Sequence, residues 1–147
     1  MKIYLGSDHA GFLLKQKIKK FLDKKRIEYE DCGDFVKNDN DDYPDFVVPV
    51  AKKVAGEKHA RGIILGGSGQ GEAIAANRVK GVRAAIYYGG NLNIVKLSRE
   101  HNDVNILSLG ARFINDKTAV KAVEAWLKTS FKGGKHLRRI KKIERYR

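Results

Sequence analysis

The chain has few of the features that mark disulfide-linked, membrane or metal-binding proteins. Its 147 residues include one cysteine, and no apolar run approaches the roughly 20 residues of a membrane span. Cys32 cannot form an internal disulfide, which suits a reducing compartment, and we expect a cytoplasmic protein that contacts no membrane. The four histidines lie far apart, and no His, Cys, Asp and Glu residues have metal-ligand spacing, so no metal is expected.

Internal repeats and low-complexity linkers are absent as well, and the length fits one domain with its own core, residues 1–147. The net charge is +13, because 30 Lys and Arg residues outnumber 17 Asp and Glu residues. The tail, residues 132–147, holds eight basic residues and one acidic residue. Such a tail can bind nucleic acid, a membrane surface or the phosphate of a small substrate, and composition does not choose among them.

Strand and helix patterns alternate along the chain. Apolar runs predict strands over 2–7, 27–32, 61–65, 82–87 and 105–109, and the stretches between them have helical spacing. Pro44 suits a helix start, Pro49 should kink that helix or delay its start, and Asp116 is a candidate N-cap. This order predicts an α/β fold, a doubly wound, Rossmann-like, five-stranded parallel sheet with helices on both faces.

The glycine loop, residues 66–72 with the sequence GGSGQGE, joins the third strand to a helical run over 73–79. Its glycines leave backbone N–H groups free to face a phosphate or an oxyanion. Glu72-Ala73 replaces the Lys-Ser/Thr pair of a P-loop, the glycine spacing differs from the dinucleotide fingerprint, and Gln70 removes the esterase elbow. The alternative is a turn that merely lets a strand enter a helix.

Polar residues follow the predicted strands. Asp8 and His9 follow the first strand, Ser68 and Glu72 the third, and Arg112 the fifth, while His101 and Asn102 lie in the turn after the fourth helix. We expect all of them to share one rim of the sheet. A carboxylate, an imidazole and anion-binding groups together suit proton transfer beside a carbonyl in an anionic substrate. Asp8 could instead be a simple helix N-cap, and His101 a surface histidine.

The chain resembles type B ribose-5-phosphate isomerases and their sister galactose-6-phosphate isomerases over nearly its whole length. The segments that carry the resemblance are Asp8-His9-Ala10-Gly11, Asp42-Tyr43-Pro44, the glycine loop, Ala75-Ala76-Asn77, Ser98-Arg99-Glu100-His101-Asn102-Asp103, Gly110-Ala111-Arg112 and Gly133-Gly134-Lys135-His136. The resemblance implies an aldose–ketose isomerase that moves a proton between C1 and C2 through an enediolate, without metal or cofactor.

The resemblance also implies a role for each matching residue. One branch of the family uses a cysteine base at the position of Gly66, and this chain is similar to the other branch, whose base is at Glu72. His101, with Asp8, would open the sugar ring. The remaining positions would bind substrate: Asn102 and Tyr43 at the sugar hydroxyls, Ser68, Gly69 and Gly71 at the enediolate, and His9, Arg112, Lys135, His136 and Arg139 at the phosphate.

The oligomeric state and the preferred sugar phosphate are two further expectations. The tail has a cationic face and an apolar stripe and follows a fold that is already complete, so we expect a homodimer, with a tetramer left open. Lys135, His136 and Arg139 of the tail would reach the partner subunit, and the alternative is that the tail packs onto its own chain. Lys135 stands where the family usually has arginine, so a point charge replaces a bidentate fork. Ribose 5-phosphate is the expected substrate. The alternatives are a six-carbon sugar phosphate such as galactose or allose 6-phosphate, a nucleic-acid-binding protein that uses the tail, and a sugar-phosphate sensor without turnover.

Overall fold

The computed structural model describes residues 1–146 as an alternation of strands and helices. In chain order these are β1 (Ile3–Ser7), α1 (Phe12–Lys24), β2 (Tyr29–Asp31), α2 (Pro44–Gly56), β3 (Arg61–Gly66), α3 (Gln70–Ala76), β4 (Ala84–Tyr87), α4 (Asn93–Asn102), β5 (Ile106–Gly110), α5 (Asp116–Lys128) and α6 (Lys135–Ile143), followed by a 3₁₀ turn, Glu144–Tyr146. The strands pair in parallel in the order β2-β1-β3-β5-β4.

Each face of the sheet carries its own apolar layer, because successive residues of a strand point to opposite faces. Leu5, Ile63 and Leu107 lie in one buried cluster with side chains of α1, α4 and α5. Tyr4 and Ile64 lie in the other, with side chains of α2 and α3. The predicted five-stranded, doubly wound parallel sheet with helices on both faces is therefore confirmed.

Several local expectations need correction. Helix α2 begins at Pro44 as predicted but continues through Pro49, so a delayed start is wrong. Pro49 lacks one N–H donor, but the buried residues of α2 keep the helix on the sheet. Helix α5 is capped by Asn115, whose side-chain oxygen accepts from the Thr118 N–H at 2.8 Å, so Asp116 is not the cap. Strands β2 and β4 are shorter than predicted, and α3 begins at Gln70.

The tail forms α6, which packs against α4, and only Ile140 is buried on that helix. Leu137 and Ile143 of the same helix are 43% and 51% exposed. Arg147, the last residue of the predicted tail, lies outside the described residues. No helix within residues 1–146 is both long enough and apolar enough to span a bilayer.

Lys15 anchors the polar loop over residues 33–42, which follows β2. The whole side chain of Lys15 is buried, and its Nζ donates to Asp31 Oδ1 at 2.8 Å and to the carbonyl of Asp34. Burial lowers the pKa of Lys15 below its ordinary value, and the carboxylate of Asp31 opposes that shift. A buried ammonium is tolerated only when it is paired in this way, so the contacts fix where the loop leaves the sheet.

We predict that Lys15→Met lowers the free energy of unfolding by about 3 kcal/mol. The substitution keeps the volume of the side chain and removes its charge, so Asp31 and the Asp34 carbonyl each lose a buried partner. Denaturant titration measures this loss. The control is Lys17→Met on the same helix, where an exposed ion pair with Asp116 should contribute less than about 1 kcal/mol. Equal losses in the two variants would contradict the anchoring role.

Candidate active site

The glycine loop connects the end of β3 to the start of α3 through a backbone that excludes side chains. Gly69 is the N-cap of α3 and has φ +77°, a left-handed conformation that favours glycine. Its carbonyl accepts a hydrogen bond from the buried Ser108 Oγ at 2.7 Å. A Cβ on Gly69 would lie 2.9 Å from that same oxygen. Ser108 therefore holds the loop from β5, a role that the sequence did not indicate.

Glu72 lies in the first turn of α3 and is 4% exposed. Its carboxylate reaches back to the end of β3, where a Cβ on Gly66 would lie only 1.7 Å from Glu72 Oε1. Burial raises the pKa of the Glu72 carboxyl above its ordinary value, a hydrogen bond with its own backbone N–H opposes the shift, and the charge of Asp8 adds to it. Glu72 is thus a desolvated carboxylate suited to proton transfer.

Two side chains from other elements cover the loop. The ring of Tyr43 lies over Gly71, so that a Cβ there would be 2.8 Å from the Tyr43 hydroxyl oxygen. The guanidinium of Arg112 lies over Gly67, with Nη1 3.1 Å from a Cβ built there. The Arg112 backbone N–H also donates to the Gly67 carbonyl at 3.0 Å. A phenol hydroxyl and a cation thus flank the loop.

Asp8 and His9 follow β1. Asp8 is buried, and its Oδ1 accepts a hydrogen bond from the Gly11 N–H at 3.0 Å. Helix α1 begins at Phe12 with Gly11 as its N-cap, so Asp8 braces the preceding turn and is not the cap. Strands β1 and β3 are paired neighbours, so their ends lie side by side, and the charge of Asp8 helps to raise the pKa of Glu72. Ser68, within the glycine loop, accepts from the Gln70 N–H at 3.3 Å.

His9 pairs with Asp41, a residue that the sequence did not single out. His9 Nδ1 lies 2.6 Å from Asp41 Oδ1, and this hydrogen bond raises the pKa of His9 above its ordinary value. One ligand atom each from Asp8, His9 and Asp41 lie within 4.8 Å of one another, a grouping that could hold a cation. Sequence spacing could not reveal it, because Asp41 lies 32 residues from its partner.

His101 and Asn102 do not share this rim, so that expectation is wrong for both. They end α4, and the Asn102 carbonyl accepts from Nε of Arg83, which precedes β4. A turn that follows a helix enters the next parallel strand at its start, whereas Ser68 and Glu72 follow the end of a strand. The length of β5, Ile106–Gly110, separates the two rims by about 13 Å at ~3.3 Å per residue.

The structure therefore sorts the predicted site residues into two groups. The loop group lies at the strand ends and comprises Asp8, His9, Tyr43, Ser68, Gly69, Gly71, Glu72 and Arg112. The tail group lies at the end of α4 and on α6 and comprises His101, Asn102, Lys135, His136 and Arg139. The rings of His101 and His136 stack with centroids 4.2 Å apart, and burial, followed by the charges of His101 and Lys135, lowers the pKa of His136.

Comparison with known proteins identifies similar chains of nearly the same length. A family model described as Ribose/Galactose Isomerase matches residues 3–143. Ribose-5-phosphate isomerase B of Mycolicibacterium paratuberculosis is 40% identical over 147 residues, covering 99% of this chain and 91% of that protein.

Solved structures agree with that match. Ribose-5-phosphate isomerase B of Mycoplasma genitalium, determined with bound ribulose-5-phosphate, superposes with a TM-score of 0.94 at 42% identity, covering 99% of this chain and 95% of the other. The Clostridium thermocellum ribose-5-phosphate isomerase B gives a TM-score of 0.93 at 46% identity, with 99% and 97% coverage.

We predict that Gly66→Ala leaves the fold nearly intact but displaces the Glu72 carboxylate. The added Cβ meets only the far end of that flexible side chain, so the loss of unfolding free energy should stay below about 1 kcal/mol. The matched variant is Gly11→Ala, whose Cβ would lie 2.5 Å from the Leu65 carbonyl oxygen and should cost about 1–3 kcal/mol. Crystal structures and thermal unfolding of both variants test this. An unmoved Glu72 carboxylate in Gly66→Ala would contradict the prediction.

Proposed function

Since the chain belongs to the ribose/galactose isomerase family, we propose that it is an aldose–ketose isomerase that interconverts ribose 5-phosphate and ribulose 5-phosphate. The observation that carries this proposal is the Glu72 carboxylate, buried against the glycine loop at the strand ends with its pKa raised. The similar Mycoplasma genitalium enzyme holds ribulose-5-phosphate, the ketose of this pair. The fold and the candidate base therefore agree with the same reaction.

The proposed chemistry is a proton transfer along two carbons. Glu72 removes the proton from C2 of the open-chain aldose, and the electron pair moves through the new C1–C2 double bond onto O1, giving an enediolate. The same carboxyl returns the proton to C1 while the O2 proton moves to O1 and the ketone forms at C2. The Ser68 hydroxyl and the N–H groups of Gly69 and Gly71 stabilise the negative charge, since donors aimed at a developing oxyanion lower its energy.

We assign residues to the phosphate end and the sugar end of the substrate by their charge and hydrogen-bonding capacity. Arg112 and His9 of the loop group supply cations at the strand ends for the phosphate, and Tyr43 supplies a hydroxyl beside Gly71 for the sugar. In the tail group, His101 opens the ring and Asn102 binds a hydroxyl. Lys135 and Arg139 add positive charge, and His136, whose pKa is lowered, offers a ring nitrogen for a hydrogen bond to the phosphate. These roles use side chains alone, with no metal or cofactor.

We propose that two copies of the chain complete each site. Within one chain the loop group and the tail group lie on opposite rims, so a single substrate cannot contact Glu72 and His101 together. In a symmetric pair, the tail group of one copy would face the loop group of the other and receive the same in return. Ile74, Ile86, Ile94 and Leu137 are exposed apolar residues that a second copy would cover.

The family includes isomerases of both five-carbon and six-carbon sugars, ribose and galactose. Parallel assays can therefore determine which sugar phosphate this chain prefers. Lys135 offers a mobile point charge where a planar fork would fix the phosphate more rigidly. We expect ribose 5-phosphate to be turned over faster than allose or galactose 6-phosphate in parallel assays. A faster six-carbon sugar would change the substrate and leave the mechanism unchanged.

Removing the proposed base should abolish most of the turnover. Glu72→Gln keeps the shape of the side chain and removes its proton-accepting charge, so kcat should fall roughly 10²- to 10⁴-fold. Turnover of ribose 5-phosphate measures the loss, and Glu28→Gln, an exposed glutamate outside the site, is the control. Near-normal turnover of Glu72→Gln would refute the assignment of the base.

The same variant should be more stable than the parent at neutral pH. The folded pKa of Glu72 is raised, so its stabilising contribution is complete below the unfolded pKa and is lost as pH rises through the folded value. At pH 7 the buried charge is a cost that glutamine removes, and a gain of ~0.5–2 kcal/mol is expected. The gain should vanish below about pH 4. Thermal unfolding against pH measures it and also shows that the variant is folded.

Mixing two inactive variants tests the shared site. Glu72→Gln and His101→Ala are mixed under conditions that exchange subunits, after each variant is shown to be folded and inactive. If His101 acts on the partner's loop group, each mixed dimer holds one intact site, so roughly a quarter of all sites should recover.

The control mixes Glu72→Gln with Ser68→Ala. These residues lie on the same loop, so no mixed dimer of that pair has an intact site. If subunit exchange is verified and no activity recovers in the first mixture, the shared site is ruled out.

A further inference from the structure

Asp41 has a buried side chain that contacts His9 of the loop group, and the family resemblance assigns it no role. Resting on the proposed function, we propose that Asp41 is a positioning residue for the substrate phosphate: it holds the His9 ring by Nδ1 and so presents Nε2–H to the phosphate. Three features of the pair support this role: the hydrogen bond, the burial of Asp41 and the distribution of charge around His9.

The hydrogen bond is short and directional. His9 Nδ1 and Asp41 Oδ1 are 2.6 Å apart, within the range of charge-assisted hydrogen bonds, which are about twice as strong as neutral ones. With Nδ1–H donated to Asp41, the proton of a neutral ring is fixed on Nδ1, and a protonated ring carries its second proton on Nε2. Among the described residues Nε2 has no hydrogen-bond partner, and the His9 side chain is 26% exposed. The ring thus has one fixed nitrogen and one that is free for a ligand.

Burial makes His9 the main partner of the Asp41 charge. The Asp41 side chain is 5% exposed, and its other oxygen, Oδ2, is buried without a hydrogen-bond partner. A desolvated carboxylate that lacks a donor on one oxygen depends on whatever cation is paired with the other. Within residues 1–146 the structure gives Asp41 only one such cation, His9. The pair is therefore more favourable with His9 charged than with His9 neutral.

Three aspartates raise the pKa of His9, and partial burial of the ring opposes them. Asp8 at the end of β1 and Asp41 and Asp39 on the loop over residues 33–42 each raise the pKa of His9, and the hydrogen bond to Asp41 is the largest cause. An imidazolium that persists to higher pH is the form that donates from both nitrogens and attracts a phosphate dianion. Phosphate affinity should therefore be lost as pH rises through the raised pKa of His9.

The loop supplies a matched control in Asp39. It carries the same charge near the same histidine, but it makes no hydrogen bond to His9, and its side chain is 75% exposed beside Lys37. Asp39→Asn and Asp41→Asn thus remove one carboxylate each from one loop, and only the second removes the pairing. A general effect of loop charge would appear in both variants.

The experiment measures the His9 titration by NMR, the affinity for inorganic phosphate by calorimetry, and KM and kcat for ribose 5-phosphate between pH 5.5 and 8.5. In Asp41→Asn we expect a lowered His9 pKa and, near pH 8, a KM and a phosphate Kd raised about tenfold, the change that ~1.4 kcal/mol produces. The kcat should change less than about twofold, since the chemical step is untouched. The KM difference should shrink towards pH 5.5, and Asp39→Asn should resemble the parent.

A double-mutant cycle separates positioning from a purely structural role. If Asp41 acts through His9, then Asp41→Asn should change KM in the parent but not in a His9→Gln background. Equal losses in both backgrounds, or an unchanged His9 pKa in Asp41→Asn, would overturn the proposal. So would a phosphate affinity of the parent that collapses when EDTA is added, because Asp8, His9 and Asp41 would then be holding a cation.

The readouts also distinguish this proposal from the proposed function. A parent protein that turns over no sugar phosphate would refute the isomerase assignment, while the NMR titration of His9 and the binding of inorganic phosphate would still test the pair. An active parent with the same His9 pKa in all variants would refute only the role of Asp41.

Discussion

The parallel winding of the sheet is the constraint on which the rest of this structure depends. The strands all end on one rim, and helices α1 to α4 end on the other, because each of these helices returns the chain to the start of the next strand. Residues that follow strands can therefore lie close together although they are far apart in sequence, as Asp8 and Glu72 do. Residues that end helices, such as His101, are kept apart from them by the full length of a strand.

That constraint explains what the sequence could and could not predict. Apolar runs and their order were enough for the strands, the helices and both faces of the sheet, because burial sets those patterns directly. The same topology places His101 and Asn102 on the far rim, because they lie where a helix ends. The expectation of one shared rim failed because it treated the turn after helix α4 like the loops that follow strands. Asp41 and Ser108 were missed for another reason. Their partners, His9 and Gly69, are 32 and 39 residues away, and only the folded chain brings them together.

The missing Cβ atoms of the glycine loop link the fold to the proposed chemistry. A side chain at Gly66 would take the space that the Glu72 carboxylate occupies, and one at Gly71 would meet the ring of Tyr43. The carboxylate can be desolvated because it packs against bare backbone, and that desolvation raises its pKa. In the branch with a cysteine base at the position of Gly66, a side chain would fill this space. A cysteine base there and the proposed base Glu72 would therefore compete for the same space beside Gly66.

The chain has a net charge of +13, but its acidic and basic residues are concentrated in different places. This separation of charge favours the proposed pairing of subunits. The loop over residues 33–42 carries four aspartates and one lysine, and it borders a site that is proposed to bind a phosphate. One chain offers His9 and Arg112 there, and its basic tail lies on the other rim. An acidic loop on one copy and a basic α6 on the other are complementary, and such complementarity selects the orientation of association. In the proposed pair, the acidic loop of one copy would attract the basic α6 of the other and so bring its positive charge to the phosphate site.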